Sequence, residues 1–314
     1  MWLKQFQAVF KNAFKVSASD PFYLVISLAS VVLMVLAASM PSIGESEHLR
    51  LVRDQTHSIL FICGALAGAY GLIRVVTDDI RRGAGSILMS RPISGTTLLL
   101  GKLFGVIASV AILFSTGAFS YLWISEITFD HESLNITSLV LYASVIALSL
   151  ISGGIRQYMF GSNFSLYSSL SLCTLMGIGF VLRYFLAEQG EFDLIGLQSI
   201  LLLFMAVITF CATVQALAVI ADSAMVLGGA IIIFFFGLIS SFLISKIVGQ
   251  SASMVLGALL PNWQTFWVLE AIGQGQGVPG MYYLQCFFQT LLYVGVYLIL
   301  SISLFERIEI KGVA

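Results

Sequence analysis

The sequence predicts an all-α polytopic membrane protein, and three observations carry that reading. Of the 314 residues, 59% are apolar and only 10% are charged, whereas soluble domains carry roughly a quarter charged residues. The apolar residues gather in runs of about 20, the length a helix needs to cross hydrocarbon. The basic residues fall mostly on one side of those runs. A water-soluble globule of this size could not cover its surface with so few charges, so the bilayer is the solvent for much of the chain.

The same numbers exclude other classes. Net charge is −1, so no global basic field attracts nucleic acid and no acidic tail is present. Cys63, Cys173, Cys211 and Cys286 sit inside apolar runs without C-x-x-C or metal-ligand spacing. They read as small buried hydrophobes rather than disulfide partners.

The first element, residues 1–19, is amphipathic. Trp2, Leu3, Phe6, Val9, Phe10, Ala13 and Phe14 share one face, and Lys4, Gln5, Gln7, Lys11, Asn12 and Lys15 fill the other. Such a helix lies in the membrane interface with its lysines toward headgroups. The apolar stretch that follows, Pro21 to Met40, exceeds the roughly 7–15 residues of a signal-peptide core, so it is expected to be retained as a span. Asp20 is its expected N-cap, with Pro21 at the first helical position.

Eight stretches are long enough to span: 21–41, 57–76, 98–124, 136–155, 164–187, 196–221, 224–245 and 283–305. Orientation follows from the positive charges. With a cytoplasmic N-terminus, Lys4, Lys11, Lys15, Arg74, Arg81, Arg82, Arg91, Lys102, Arg156, Arg307 and Lys311 lie inside. Arg50, Arg53, Arg183 and Lys246 lie outside or at the outer boundary. Both termini are then cytoplasmic. Gly153-Gly154 and Arg156 leave the connection between 136–155 and 164–187 open. The external stretch 248–282 carries apolar patches at Met254–Leu260 and Phe266–Leu269, too short to span and suited to short helices dipping into the outer leaflet.

The densest charge lies between Thr77 and Lys102, TDDIRRGAGSILMSRPISGTTLLLGK. Asp78 and Asp79 open it, Arg81 and Arg82 follow, and Gly83 and Gly85 permit tight backbone. Ile87, Leu88 and Met89 form an apolar ridge, Arg91-Pro92 ends the turn, and Ser94 or Thr96 is a candidate N-cap for the next helix. As a solvated loop this segment would merely obey the positive-inside rule. As a short helix it would dock its ridge into another protein with charges around the rim. The residues alone allow both.

This segment resembles the signature of type 2 ABC transporter permeases, the ABC-2 membrane subunits. Their pattern is an acidic residue, a Gly, then "elLlsrPisr", and a few residues on "lGKllg". The matching residues are Asp79, Gly83, Ile87-Leu88, Ser90-Arg91-Pro92-Ile93-Ser94 and Gly101-Lys102-Leu103-Phe104-Gly105. The amphipathic first segment is similar to the family's elbow helix, Leu259-Leu260-Pro261-Asn262-Trp263 to its external "lPn" segment, Ala218–Ser223 to its cytoplasmic turn, and Phe305-Glu306-Arg307 to its last-span ending. Two departures stand out: the family core has six spans, so the pair near 136–187 looks like an added hairpin, and Gly95 replaces a frequent basic residue.

The resemblance implies an ABC-2-like helical bundle in a bacterial plasma membrane, the inner membrane if Gram-negative. Residues 77–98 would be a coupling segment seated in a cytoplasmic P-loop ATPase. The ATPase-coupling residues would be Asp78, Asp79, Arg81, Arg82, Gly83, Ile87, Leu88, Arg91, Pro92 and Lys102. Expected partners are two ATPase subunits and a second permease, most simply a second copy in a homodimer, besides the lipid bilayer. ATP and magnesium would sit on the partner, with no cofactor on this chain.

Absent motifs agree. No G-x-x-x-x-G-K-[ST] occurs, so ATP hydrolysis is not expected here. Neither G-x-S-x-G nor His-Glu-x-x-His occurs, and Asp78 and Asp79, being adjacent, point about 100° apart on a helix. No catalytic or metal-binding group is expected. His48, His57 and His131 read as ordinary loop or boundary residues, Arg74, Arg183 and Lys246 as span-end charges that snorkel, and Gly64, Gly68, Gly71 and Ser165–Ser171 as packing positions. The expected function is an ABC transporter permease. Two alternatives are an ion-coupled secondary transporter, which needs acids near the midplane, and a membrane scaffold or assembly protein.

Overall fold

The first span starts where Asp20 accepts a hydrogen bond from the Phe22 amide at 2.9 Å, with Pro21 at the first helical position. That cap was legible in the sequence, and it fixes the joint between two helices, α1 (Trp2–Ala18) and α2 (Pro21–Ala38). The computed structural model describes residues 2–39, 45–81, 94–129, 136–186, 193–247, 261–273 and 277–313, and among these no strand occurs.

α3 (Glu45–Leu72) runs into a π-helical turn (Ile73–Thr77) and one last turn, α4 (Asp78–Arg81). α5 (Gly95–Phe129) follows, its first amides capped by Ser94, whose hydroxyl accepts from the Thr97 amide at 3.3 Å. α6 (Ile136–Phe160) and α7 (Phe164–Leu186) form a hairpin. Gly161 turns it at φ 62°, a left-handed conformation that carries no Cβ penalty in glycine. α8 (Leu194–Ile220) and α9 (Ser223–Ile247) are joined by Ala221-Asp222, with Asp222 accepting from the Met225 amide. A 3-10 turn (Trp263–Phe266), α10 (Leu269–Gly273) and α11 (Gly280–Val313) complete the described chain.

Eight of these helices are long and apolar enough to cross a membrane: Pro21–Ala38, Leu49–Arg81, Gly95–Ser125, Thr137–Phe160, Phe164–Leu182, Ile195–Ile220, Ser223–Ser240 and Gly280–Arg307. The number and order agree with the sequence reading. The largest shift is in the second span, which starts at Leu49 rather than 57. The chain there stays helical through Arg53, Asp54 and His57, because two of those side chains pair inside the bundle.

α3, α5 and α8 form the centre, with about 70% of their apolar windows buried, against 17–28% for α6, α9 and α11. Glycines let the central helices touch. A Cβ on Gly64 would collide with the Phe114 ring and one on Gly68 with the Cys211 sulfur, while one on Gly71 would lie 2.6 Å from the Ser17 hydroxyl. These contacts place α3 against α5, α8 and α1. The hairpin packs on itself at Gly153 and Ser168, with the Ser171 hydroxyl donating to the Ser149 carbonyl at 2.9 Å. It rests on α2 and α5.

Candidate functional site

The ion pairs among the described residues fall in two clusters along the continuous helix Leu49–Arg81. From Arg53 to Arg74 the helix rises about 32 Å, close to the ~30 Å thickness of a hydrocarbon core. One cluster therefore sits at each face of the bundle.

The cluster beside α1 gathers four chain segments. Arg74 bridges the cap of α2 and the start of α4, 2.9 Å from both Asp20 and Asp78. Asp78 also accepts from the Ser223 hydroxyl at 3.3 Å, which reaches the α8–α9 turn. Arg81 meets Asp222 of that turn at 3.6 Å. Thr77 donates to the Ala218 carbonyl at 3.0 Å. Lys102, about two turns into α5, reaches Asp79 at 3.0 Å with only 5% of its side chain exposed. The π-turn widens the helix just ahead of Asp78, as such turns frequently do at functional positions.

The flanking glycines explain how Lys102 is buried. α1 lies across α5 so closely that a Cβ on Gly101 would be 2.7 Å from Val9, and one on Gly105 would be 2.5 Å from Ala13. In G-K-x-x-G the glycines seat α1, and the lysine between them passes beneath it toward Asp79. Arg74 was expected only to snorkel; the structure makes it the hub of this cluster. Of the predicted coupling residues, Asp78, Asp79, Arg81 and Lys102 are thus brought together. Arg82, Gly83, Ile87, Leu88, Arg91 and Pro92 lie outside the described residues.

The distal cluster is drier. Asp193 caps α8 through the Gly196 amide at 2.9 Å and takes Arg53 at 2.5 Å and the Tyr121 hydroxyl at 2.5 Å. Burial alone pushes the Asp193 carboxyl up, but the Tyr121 hydroxyl, the Gly196 amide and Arg53 outweigh it. They hold the carboxyl below the usual aspartate range. His57 is fully buried, which corrects its reading as an ordinary boundary residue. Its Nδ1 lies 2.7 Å from the Arg53 carbonyl, and its Nε2 lies 2.7 Å from the Ser199 hydroxyl and 3.0 Å from the Gly196 carbonyl. The ring stands edge-on to Tyr121. Helical spacing of Arg53 and His57 was the available signal; their partners are about 140 residues away.

Between the two clusters, α3 and α9 flank an apolar cavity of about 500 Å³ that is open on one side. Phe61, Ala65, Phe210, Phe234 and Phe235 line it, and Trp267 stands on its wall. The segment expected outside contributes here: Asn262 caps the 3-10 turn, and the buried Trp263 indole donates to the Phe234 carbonyl at 2.9 Å. Leu259 and Leu260 lie outside the described residues. Comparison of the chain with protein-family models and with curated proteins finds no match.

Proposed function

We propose that the chain is the membrane-spanning permease subunit of an ATP-binding-cassette transporter, working with separate ATPase subunits and a second permease. One observation supports this above the others. The helices on either side of residues 82–93 are rooted in a network that ties them to each other, to the α1–α2 joint and to the α8–α9 turn. Asp78, Asp79 and Arg81 root the leading end, and Lys102 holds the following helix to Asp79. A solvated loop gains nothing from such anchoring. A segment that receives a push needs it.

In this reading the α1 face is cytoplasmic, and ATP-driven closure of the partners displaces the segment. Asp78 then pulls on Arg74 and the α1–α2 joint, Asp79 pulls on α5 through Lys102, and Arg81 pulls on the α8–α9 turn. The two permeases thereby exchange between states of different segment contacts. The apolar cavity between α3 and α9 suits cargo with a hydrophobic body. A secondary transporter would place acids near the midplane; the acids described here stand at the two faces.

Co-purification tests the reading. Chain extracted in mild detergent from its own cells should retain a P-loop ATPase, and Leu88→Asp should abolish that retention while leaving the bundle folded. A chain that never retains an ATPase, with Leu88→Asp and Arg82→Glu both active in cells, would sink the proposal.

A further inference from the structure

The π-turn Ile73–Thr77 holds one residue more than regular helix would. The Asp78 amide bonds to the Ile73 carbonyl, five residues back, where an α-helix bonds four back. Ile73, Val75, Val76 and Thr77 are all buried, so the turn is packed into the bundle and is no frayed end. Upstream, Gly64, Gly68 and Gly71 fix α3 against its neighbours, and Arg74 is tied to Asp20. A return to regular helix therefore moves the downstream end. Each residue after the turn advances about 1.5 Å and rotates about 100°, into the seat its successor now holds.

The two registers differ in their links. In the observed one Asp79 meets Lys102, while Thr77 and Arg81 bind Ala218 and Asp222 at the α8–α9 turn. In the shifted one Asp78 enters the Asp79 seat beside Lys102. Asp78 is also the i,i+4 partner of Arg74, and regular helix keeps such residues adjacent. Val76 and Ile80 enter the seats of Thr77 and Arg81, where neither can replace the hydroxyl or the guanidinium. The adjacent carboxylates thus offer the buried Lys102 ammonium a counter-ion in both registers, which Asp79 alone would not.

One cost opposes the shift. Asp79 enters the seat of Ile80, which packs against the apolar core and suits no carboxylate. That seat also disfavours the amide of an Asp79→Asn chain, which stays in the observed register with Lys102 unpaired.

We infer that the π-turn is a two-position register switch, which keeps the end of helix Leu49–Arg81 on α5 in both positions and ties it to Ala218 and Asp222 in only one. The switch belongs to this chain alone and is measured without an ATPase, so it stands or falls apart from the transporter reading.

The test cross-links cysteines in the full chain in nanodiscs, with Cys63, Cys173, Cys211 and Cys286 replaced by alanine. Arg81→Cys with Asp222→Cys reports the observed register, and Ile80→Cys with Asp222→Cys the shifted one. With a short bis-methanethiosulfonate the first pair should close about tenfold faster than the second, as for a sparsely populated second state. Deleting Val75 removes the extra residue and leaves residues 77–81 in their present seats. It should preserve the first rate and abolish the second. Asp79→Leu suits the seat of Ile80 and should reverse the ratio, and Asp78→Asn added to it should undo the reversal. A ratio that neither the deletion nor Asp79→Leu changes overturns the inference, as does a reversal that survives Asp78→Asn. If the chain lacking Val75 does not fold, Asp79→Leu decides alone.

Discussion

The two faces of the bundle hold charge in opposite ways. At the distal face Arg53 and Asp193 are 12% and 6% exposed, and every polar atom of the carboxylate is engaged by α3, α5 or the α8 backbone. Beside α1 three pairs tie the helix Leu49–Arg81 to the cap of α2, to α5 and to the α8–α9 turn, a fourth, Arg74–Asp78, lies within the helix, and several members reach water. Charges sealed from water on both sides hold one geometry because any other leaves them bare. Pairs that water can replace tolerate movement. The distal cluster holds one geometry more firmly than the exposed pairs beside α1, which is the polarity that the permease reading requires.

The sharpest way to break that comparison is to cut the fixed end. Asp193→Ala strands Arg53 and removes the cap of α8, and a broken buried pair costs about 3–5 kcal/mol. Loss of monodisperse protein in size-exclusion chromatography, or a large fall in thermal midpoint, would register it. Acid gives the same cut reversibly. The folded-state carboxyl is held below its unfolded value, so its contribution is complete above about pH 4. It drains away as pH falls through the depressed folded value. An Asp193→Asn chain should show a flatter stability profile across that window.

At the α1 cluster the same logic predicts an asymmetry within one pair. Asp79→Asn leaves the buried Lys102 ammonium without a counter-ion, whereas Lys102→Met leaves only a carboxylate that already reaches water. Asp79→Asn should therefore cost more, by about 1–3 kcal/mol, although both remove one ion pair. Paired thermal-shift measurements decide it. Equal losses would mean that Lys102 is hydrated and the burial beneath α1 has no energetic consequence. In the permease reading both variants also weaken transport, because each disconnects the segment from α5.

How much of this was legible follows from the range of the interactions. The eight spans, the Asp20-Pro21 cap, the Ser94 cap and the packing glycines of α3 are set by neighbours within a turn or by composition, and the sequence shows them. The hub role of Arg74, the burial of Lys102 and the distal cluster are not local. Arg53 and His57 lie one turn apart, yet their partners stand on α5 and α8. A charge near a span end has two outcomes, water or a distant counter-ion, and only the packing of helices selects one. Asp193 carried a faint signal, an acid just ahead of an apolar run, which is the chemistry of a cap.

The smallest effect on stability belongs to Arg81, and it separates holding from transmitting. Arg81 and Asp222 are 58% and 39% exposed at 3.6 Å, and such pairs contribute about 0–1 kcal/mol. Arg81→Ala should leave the thermal midpoint nearly unchanged. If the pair serves to carry displacement from the segment to the α8–α9 turn, the same substitution should still slow ATP-dependent transport in reconstituted vesicles. Arg81→Glu should slow it further by repelling Asp222, and Asp222→Arg in the Arg81→Glu background should restore part of the rate. Stability and transport that remain unchanged together would make the pair a surface contact only. In the permease reading the segment would then be joined to the bundle through Arg74, Lys102 and the hydrogen bonds of Thr77 and Asp78.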